Sequence, residues 1–267
     1  MIKAIVAGAA GRMGGRIIHM LEAADDIKLA AAFEKTGHPA IGRDVGEVVG
    51  LPRQGLPVAG SLTEVLERGE VILDFTHPEA SLAHLKQAAP AGKAMVIGTT
   101  GFSAPQLEEI QQLAQKARVV LAPNMSVGVN LMFKVVQDIA RVLSSGYDVE
   151  IIEAHHRLKK DAPSGTAMKL AQLLAQSLNR ELDKVGVYER RGMIGERSPE
   201  EIGIQTIRAG DIVGEHTVIF GGVGERLEII HRAHNRDNFA RGAVRAANWV
   251  VAQPPGFYDM QDVLGLK

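Results

Sequence analysis

Ile2-Lys3-Ala4-Ile5-Val6-Ala7-Gly8-Ala9-Ala10-Gly11-Arg12-Met13-Gly14 is the stretch on which the fold turns. Ile2 to Ala7 is a short apolar run with β-branched residues and reads as a strand. Three glycines follow, and beyond them Met13, Ile17, Ile18 and Leu21 recur at helical spacing. Strand, glycine turn and helix are the context that a dinucleotide fingerprint requires. Gly8 and Gly11 would let the backbone approach a pyrophosphate, and Gly14 would let helix and strand pack closely. The spacing is G-x-x-G-x-x-G rather than G-x-G-x-x-G, and glycines serving only a tight turn are the competing reading. The next strand weighs against that reading. Ile27 to Phe33 ends in Glu34-Lys35, where a Rossmann fold contacts the adenosine ribose. Glu34 could accept hydrogen bonds from ribose hydroxyls, favouring NAD; Lys35 could pair with a 2′-phosphate, favouring NADP. Together they point to a site tolerant of both.

Working outward, Gly37 to Gly60 is rich in glycine and proline and reads as a surface excursion. Ser61 and Glu64 have the spacing of a capping box, which predicts a helix after them. Val71 to Phe75 is the next strand, and Thr76-His77-Pro78 turns into a helix. Ala94 to Ile97 makes another strand, ending in Gly98-Thr99-Thr100-Gly101, and Ser103 caps the helix after it. Val119 to Ala122 is one more, ending in Pro123-Asn124-Met125-Ser126. These strand–helix alternations predict an α/β domain with a Rossmann-type, doubly wound parallel sheet.

The pattern then changes. Val127 to Leu143 is amphipathic and leads out of the first domain. Ile204 to Arg208, Ile212 to Phe220 and Arg226 to Arg232 are β-rich runs with no helix between them. They predict a second, α+β domain with a mostly antiparallel sheet. Asn238 to Val251 returns as a helix, and the tail around Gly256 to Met260 is expected to pack back on the first domain. The expected division is therefore a dinucleotide-binding domain of residues 1–126 completed by 236–267, and a second domain of residues 127–235 for substrate binding and oligomerisation.

The bulk properties narrow the function classes. The chain has 267 residues, 46% of them hydrophobic and 4% aromatic, so aliphatic side chains must fill its core. A net charge of −1 argues against nucleic acid as the main partner. There is no cysteine, which excludes disulfides, thiolate catalysis and cysteine-ligated metal. No signal-peptide pattern precedes the first strand and no apolar run approaches membrane-spanning length, so a soluble, cytoplasmic protein is expected.

The chemistry concentrates at Glu153 to Ala167, E-A-H-H-R-L-K-K-D-A-P-S-G-T-A. Val149 to Ile152 reads as the end of a strand, and Ala167, Leu170, Ala171, Leu174 and Leu178 recur at helical spacing. Two histidines, an arginine and two lysines thus sit on a strand-to-helix loop, with Ser164 or Thr166 placed to cap the helix. Cations converging on a helix N-terminus suit a small anion, most simply a carboxylate. A solvated loop before a capped helix is the plainer reading.

This stretch resembles, without a gap, the E-[AV]-H-H-x-x-K-x-D-[AS]-P-S-G-T-A signature of the dihydrodipicolinate reductase (4-hydroxy-tetrahydrodipicolinate reductase) family. The resemblance extends to the glycine turn, Gly98-Thr99-Thr100, Ala122-Pro123-Asn124-Met125, the run from Arg208 to His216 and the tail Asp262 to Leu266. Lys35 stands where family members often carry arginine. The resemblance implies NADH- or NADPH-dependent reduction of 4-hydroxy-tetrahydrodipicolinate to tetrahydrodipicolinate, on the diaminopimelate route to lysine. It implies cofactor contacts at Gly8, Ala9, Ala10, Gly11, Arg12, Met13, Glu34, Lys35, Gly98 to Thr100 and Ala122 to Met125. It implies His155 as proton donor or acceptor and Lys159 as proton donor; on physical grounds a histidine titrates near neutrality, and a lysine crowded by cations should have a lowered pKa. For the dicarboxylate substrate it implies Gly165 and Thr166 as the anchor of one carboxylate, with further charge from His156 and Lys160. It also implies a homotetramer built through the second domain's sheet.

Competing assignments exist for several of these residues. His155 and His156 could form a metal pair, but neighbours on an extended chain point to opposite sides and chelate one ion poorly, so no metal site is expected. Lys159 and Lys160 could be solvated charge, and Asp161 reads as ordering the loop. His231 and His234 flank a strand end, with a structural role as reasonable as a functional one. Two other function classes fit parts of the chain. One is a different two-domain amino-acid or semialdehyde dehydrogenase; the other is a nicotinamide sensor without proton donors.

Overall fold

The computed structural model describes residues 1–267, and the chain divides into two compact units. In chain order the elements are β1 (Ile2–Ala7), α1 (Arg12–Glu22), β2 (Ile27–Phe33), α2 (Val45–Val49), β3 (Val71–Asp74), α3 (Pro78–Ala88), β4 (Ala94–Ile97), α4 (Ala104–Ala114), β5 (Arg118–Leu121) and α5 (Val127–Val142). They continue with β6 (Asp148–His155), α6 (Gly165–Ser177), α7 (Leu182–Val185), β7 (Gly186–Val187), β8 (Ile202–Arg208), β9 (Gly214–Gly222) and β10 (Glu225–Ala233). The last three are α8 (Asp237–Val250), β11 (Gly256–Tyr258) and α9 (Met260–Leu264). No helix is long and apolar enough to cross a membrane.

The first unit comprises Met1–Val127 and Arg236–Lys267. Its six strands lie in the order β11-β5-β4-β3-β1-β2, all parallel. Both faces are covered, and the alternation along each strand shows it. Ala4 and Val6 of β1, with Val71 and Leu73 of β3, pack beneath α1 and α8 on one side. Ile5 and Ala7, with Ile72 of β3, pack against Leu82, Leu85 and Ile110 on the other. A parallel sheet buried on both faces needs unbroken apolar strands, which is why these runs are so plain in the sequence. Strand order reverses beside β1, between β2 and β3, and ligands of such sheets bind at the carboxyl ends of the strands there.

The glycine turn makes the close packing possible. Gly8 has φ +64°, a left-handed conformation that side chains disfavour. A Cβ on Gly14 would sit 2.1 Å from the Gly8 carbonyl oxygen, so any side chain there would push α1 off the turn. Ser103 caps α4 in a full capping box with Gln106. The helix expected after Ser61 is not formed. Ser61 does donate to Glu64, at 2.8 Å, but only a single 3-10 turn, Leu66–Arg68, follows before β3 begins. The glycine-rich excursion holds short α2, because Asp44 gathers the N–H groups of Gly46, Gln54 and Leu56.

The second unit spans Gly128–Asn235 and carries a five-stranded sheet in the order β10-β9-β6-β8-β7. The sheet is mixed. β9 runs antiparallel to both β10 and β6, as the helix-free pattern led one to expect, whereas β6, β8 and β7 are parallel. The parallel pairing arises because α6 and α7 carry the chain back before β8, the crossover that parallel strands require. Helices α5 and α6 cover one face, where Val149, Ile151, Ile204, Val218 and Phe220 meet Val136, Leu170 and Leu174. On β6 the core-facing row is Val149, Ile151, Glu153 and His155, since alternate residues of a strand share a face. An acid and a histidine thus end a row that begins apolar.

Candidate active site

In the first unit, a cavity of about 720 Å³ opens beside the glycine turn. Gly8, Ala10, Gly11, Arg12, Met13, Glu34 and Lys35 line it. Ala9 does not, because its side chain is buried in the core. Helix α1 starts at Gly11 with no side-chain cap and no acid in its first turn, so its leading N–H groups are offered to an anion. Residues of this kind fit the pyrophosphate of a dinucleotide.

Glu34 is only 8% exposed, and its carboxylate lies against the turn. Oε1 accepts from the Ala10 N–H at 3.0 Å and Oε2 from the Lys35 N–H at 3.2 Å. Lys35 is exposed on the cavity wall. Gly98, Thr99 and Thr100 lie just beyond β4, and Ala122, Pro123, Asn124 and Met125 just beyond β5; none lines this cavity. Met125 and Ala122 are core residues.

Sequence reading missed the network that rigidifies this end of the sheet. Asp74 is fully buried at the end of β3 and accepts from Thr76 Oγ1 at 2.6 Å and Ser81 Oγ at 2.8 Å. Its other oxygen meets His84 Nδ1 at 2.6 Å. Ser81 commits its hydroxyl hydrogen to Asp74, so Thr99 donates to Ser81, at 2.7 Å. The network links the ends of β3 and β4 to α3, and His84 also lines the cavity. An acid ending an apolar strand, Val71-Ile72-Leu73-Asp74, was the available signal.

In the second unit, the loop between β6 and α6 brings the Glu153–Thr166 residues together around Glu153. That carboxylate is fully buried. Its Oε2 meets His155 Nδ1 at 2.6 Å and accepts from Arg208 Nη1 at 2.8 Å. Its Oε1 accepts from Arg208 Nη2 at 2.8 Å, the Ser164 N–H at 2.9 Å and Thr206 Oγ1 at 3.2 Å. Burial alone would raise its pKa, but the hydrogen bonds from His155, Arg208 and Ser164 outweigh that and hold the carboxyl well below the usual range. Ser164, rather than Thr166, caps α6, its Oγ accepting from the Ala167 N–H at 3.2 Å. Arg208 also donates to the Asp161 carbonyl, at 2.7 Å, tying down the loop.

Lys159 departs from expectation. Instead of being crowded by cations, its ammonium is held by both oxygens of Asp161, at 2.9 and 2.8 Å. The Lys159 hydrogen bond in turn keeps the Asp161 carboxyl below its ordinary value. The partner was two residues away in the sequence. Lys160 is exposed, and His156 is half-buried with Nδ1 lacking a partner. No group of three or more histidine, aspartate or glutamate side chains is placed to hold a metal ion.

His216, on β9, packs its ring edge-on to His155 with centroids 5.3 Å apart, and its Nε2 lies 3.1 Å from Ser164 Oγ. Burial, aided by the charge of His155, pushes its pKa down to about 3. His231 lies directly across from His216 on β10 and is likewise lowered by burial. His234 is exposed beyond that strand. A histidine lowered from 6.5 to about 3 stays neutral in the fold while the unfolded chain takes up a proton. Stability should therefore fall as pH drops below 6.5, by up to about 1.4 kcal/mol per unit. Glu153 adds to the loss below about 4.5, because its folded-state charge is stabilised. His216→Gln should flatten the decline between pH 6.5 and 5 in denaturant titrations; an unchanged slope would mean His216 is protonated in the fold.

With this geometry in view, comparison with known proteins is informative. Residues 2–125 match the family profile described as dihydrodipicolinate reductase, N-terminus, and residues 128–264 match its C-terminal counterpart. The 4-hydroxy-tetrahydrodipicolinate reductase of Syntrophus aciditrophicus is 60% identical over 267 residues, covering 100% of both chains. That of Syntrophobacter fumaroxidans is 61% identical over the same span, again covering 100% of each. A dipicolinate-bound dihydrodipicolinate reductase from a Paenisporosarcina species superposes with a TM-score of 0.78 at 29% identity, covering 98% of each chain. GenD2 from gentamicin A biosynthesis, in complex with NAD, has a TM-score of 0.62 at 15% identity over 99% of this chain and 90% of its own, a likeness of fold alone.

Proposed function

Because the chain belongs to the dihydrodipicolinate reductase family, we propose that the Glu153–Thr166 loop is its reaction centre and the cavity beside the glycine turn its cofactor site. The protein is an NAD(P)H-dependent oxidoreductase that reduces 4-hydroxy-tetrahydrodipicolinate to tetrahydrodipicolinate, a step toward diaminopimelate and lysine. Likeness to its relatives over the full length of the chain carries this reading. The direct test is to mix the protein with freshly made condensation product of pyruvate and aspartate semialdehyde and follow NADH or NADPH absorbance. No oxidation above the protein-free blank would overturn it.

When bound, the reduced nicotinamide supplies hydride; the chain supplies the proton and the grip on the substrate. In the proposed division, His155 gives or takes a proton and Lys159 donates one. Gly165 and Thr166, at the start of α6, hold one carboxylate with backbone N–H groups and the positive end of the helix dipole. His156 and Lys160 add positive charge. The dicarboxylate bound by the Paenisporosarcina relative supports a site of this kind.

For the cofactor, Glu34 and Lys35 are assigned to the adenosine ribose and Gly8 to Met13 to the pyrophosphate, with Gly98 to Thr100 and Ala122 to Met125 completing the site. Lys35→Ala should weaken NADPH binding by about 1 kcal/mol, roughly fivefold, as loss of an exposed ion pair does. NADH should be nearly unaffected, because it has no 2′-phosphate. Fluorescence titration with each nucleotide checks this, and equal loss for both would remove Lys35 from the ribose.

A cytoplasmic location and a homotetramer complete the proposal. The edge strand β10 exposes Leu227 and Ile230, each 44% accessible, and unpaired edges of that kind are normally covered. Sedimentation equilibrium at micromolar concentration should give a tetramer; a monomer would count against it.

A further inference from the structure

Resting on the assignment of His155 as a proton-handling group, we propose that Glu153 is a positioning residue with two simultaneous tasks. Its single carboxylate fixes which ring nitrogen of His155 carries the proton, and it fixes the start of α6 relative to that ring. The proton-handling group and the helix assigned to grip the substrate are thereby set by one side chain.

The geometry follows from the strand. Glu153 and His155 are two residues apart on β6 and so share a face. That face is the apolar one, which leaves Glu153 fully buried with no water to satisfy it. Five protein donors satisfy it instead: His155 Nδ1, both terminal nitrogens of Arg208, the Ser164 N–H and the Thr206 hydroxyl. The bidentate arginine keeps the carboxylate ionised. An ionised carboxylate accepts hydrogen bonds and cannot donate them. His155 Nδ1, at 2.6 Å, must therefore be a donor. The neutral ring is held as the Nδ1–H tautomer, and Nε2 is the nitrogen left to exchange a proton.

The second task uses the other oxygen. Ser164 is the N-cap of α6, with its backbone N–H held by Glu153 and its hydroxyl holding the Ala167 N–H. The cap therefore cannot shift without breaking a bond to the carboxylate that orients His155. Arg208 extends the same control to the Asp161 carbonyl, next to the residue pair Lys159–Asp161.

Glu153→Gln separates this role from plain burial. An amide has one acceptor and one donor end, yet every group around position 153 is now a donor. The Ser164 N–H and the guanidinium cannot become acceptors; an imidazole can by moving its proton to Nε2, and the Thr206 hydroxyl can by rotating, but Thr206 faces the oxygen that the Ser164 N–H also holds. The glutamine should turn its NH2 toward His155 and flip the tautomer. Nitrogen-15 NMR of histidine-labelled protein reads this directly, with the His155 signals assigned by their loss in His155→Asn and recorded where the ring is neutral.

The wild type should show a protonated Nδ1 and a bare Nε2, Glu153→Gln the reverse, and Glu153→Asp the wild-type pattern. In turnover, Glu153→Gln should lower kcat by about a hundred- to ten-thousand-fold, as loss of a general acid–base group does, with KM changed only a few-fold. A wild-type His155 protonated on Nε2 would overturn the proposal, whatever the folding of the variants. So would an unchanged pattern in a folded Glu153→Gln. The NMR result does not depend on substrate, so failure of the wild type to oxidise nicotinamide would count against the function and leave this positioning role standing.

Discussion

Lys159→Met should lower kcat by about a hundred- to ten-thousand-fold, the usual contribution of general acid help, while nicotinamide binding stays within about twofold of wild type because no cofactor contact is removed. Methionine keeps an unbranched apolar stem, with sulfur for one methylene, and removes the ammonium. The fold should tolerate the change, because Asp161, the partner left behind, is 62% exposed and can be solvated. Loss of kcat would then report proton delivery rather than collapse of the loop. Thr166→Ala is the contrasting variant. A carboxylate anchor grips ground and transition states alike, so its loss should raise KM and spare kcat, by about 1 to 3 kcal/mol if one contact goes unmade. Steady-state kinetics at saturating cofactor separates the two. Near-normal kcat in Lys159→Met would make the lysine a surface cation neutralised by Asp161, and His155 would have to act without it.

Arg208→Ala should destabilise the second unit by about 3 kcal/mol, the lower end of the range for unpairing a buried charge. The lower end applies because His155, Ser164 and Thr206 remain bonded to Glu153. The glutamate is wholly buried, so losing the guanidinium removes the only full positive charge bonded to it at both oxygens. Adding Glu153→Gln to Arg208→Ala should recover part of the loss, since the double variant has no charge left to strand. Urea titrations of the three variants measure both effects. An Arg208→Ala protein within about 0.5 kcal/mol of wild type, the ordinary range of a surface change, would show that the carboxylate does not depend on its arginine.

The first unit was legible because its parallel strands are covered on both sides and so read as unbroken apolar runs, with the glycine turn marking the switch to helix. The second was harder to read. β7 has only two residues, and the parallel pairing of β6 with β8 depends on where α6 and α7 return the chain. Periodicity does not encode that return path. In the loop, the residues with known chemistry were visible because they are contiguous, from His155 to Thr166. Their organiser was less so. Glu153 stood in plain sight, but its partners Thr206 and Arg208 come from β8, with His216 opposite it on β9, and only the sheet register brings them together. The signal available was an acid on the apolar side of an alternating strand. Glu34 was legible as a position at the end of β2, though not in its orientation, since nothing local shows its carboxylate turned to the Ala10 N–H.

The discontinuity of the first unit bears on how the chain is made. α8, β11 and α9 come last in the sequence, yet Ala240, Ala243, Ala247, Val250 and Met260 fill one side of the nucleotide-type sheet. While a ribosome is still producing Gly128–Asn235, that side is covered only by α1, and β5 is an open edge awaiting β11. At about 10 residues per second the wait is roughly ten seconds, long compared with the folding of a small domain. The unit begun first is thus finished last. In that interval the nascent chain leaves Leu73 and Val96 on that face uncovered, while the second unit is already able to close on its own core. Chaperone capture at the ribosome would act on this half-built sheet.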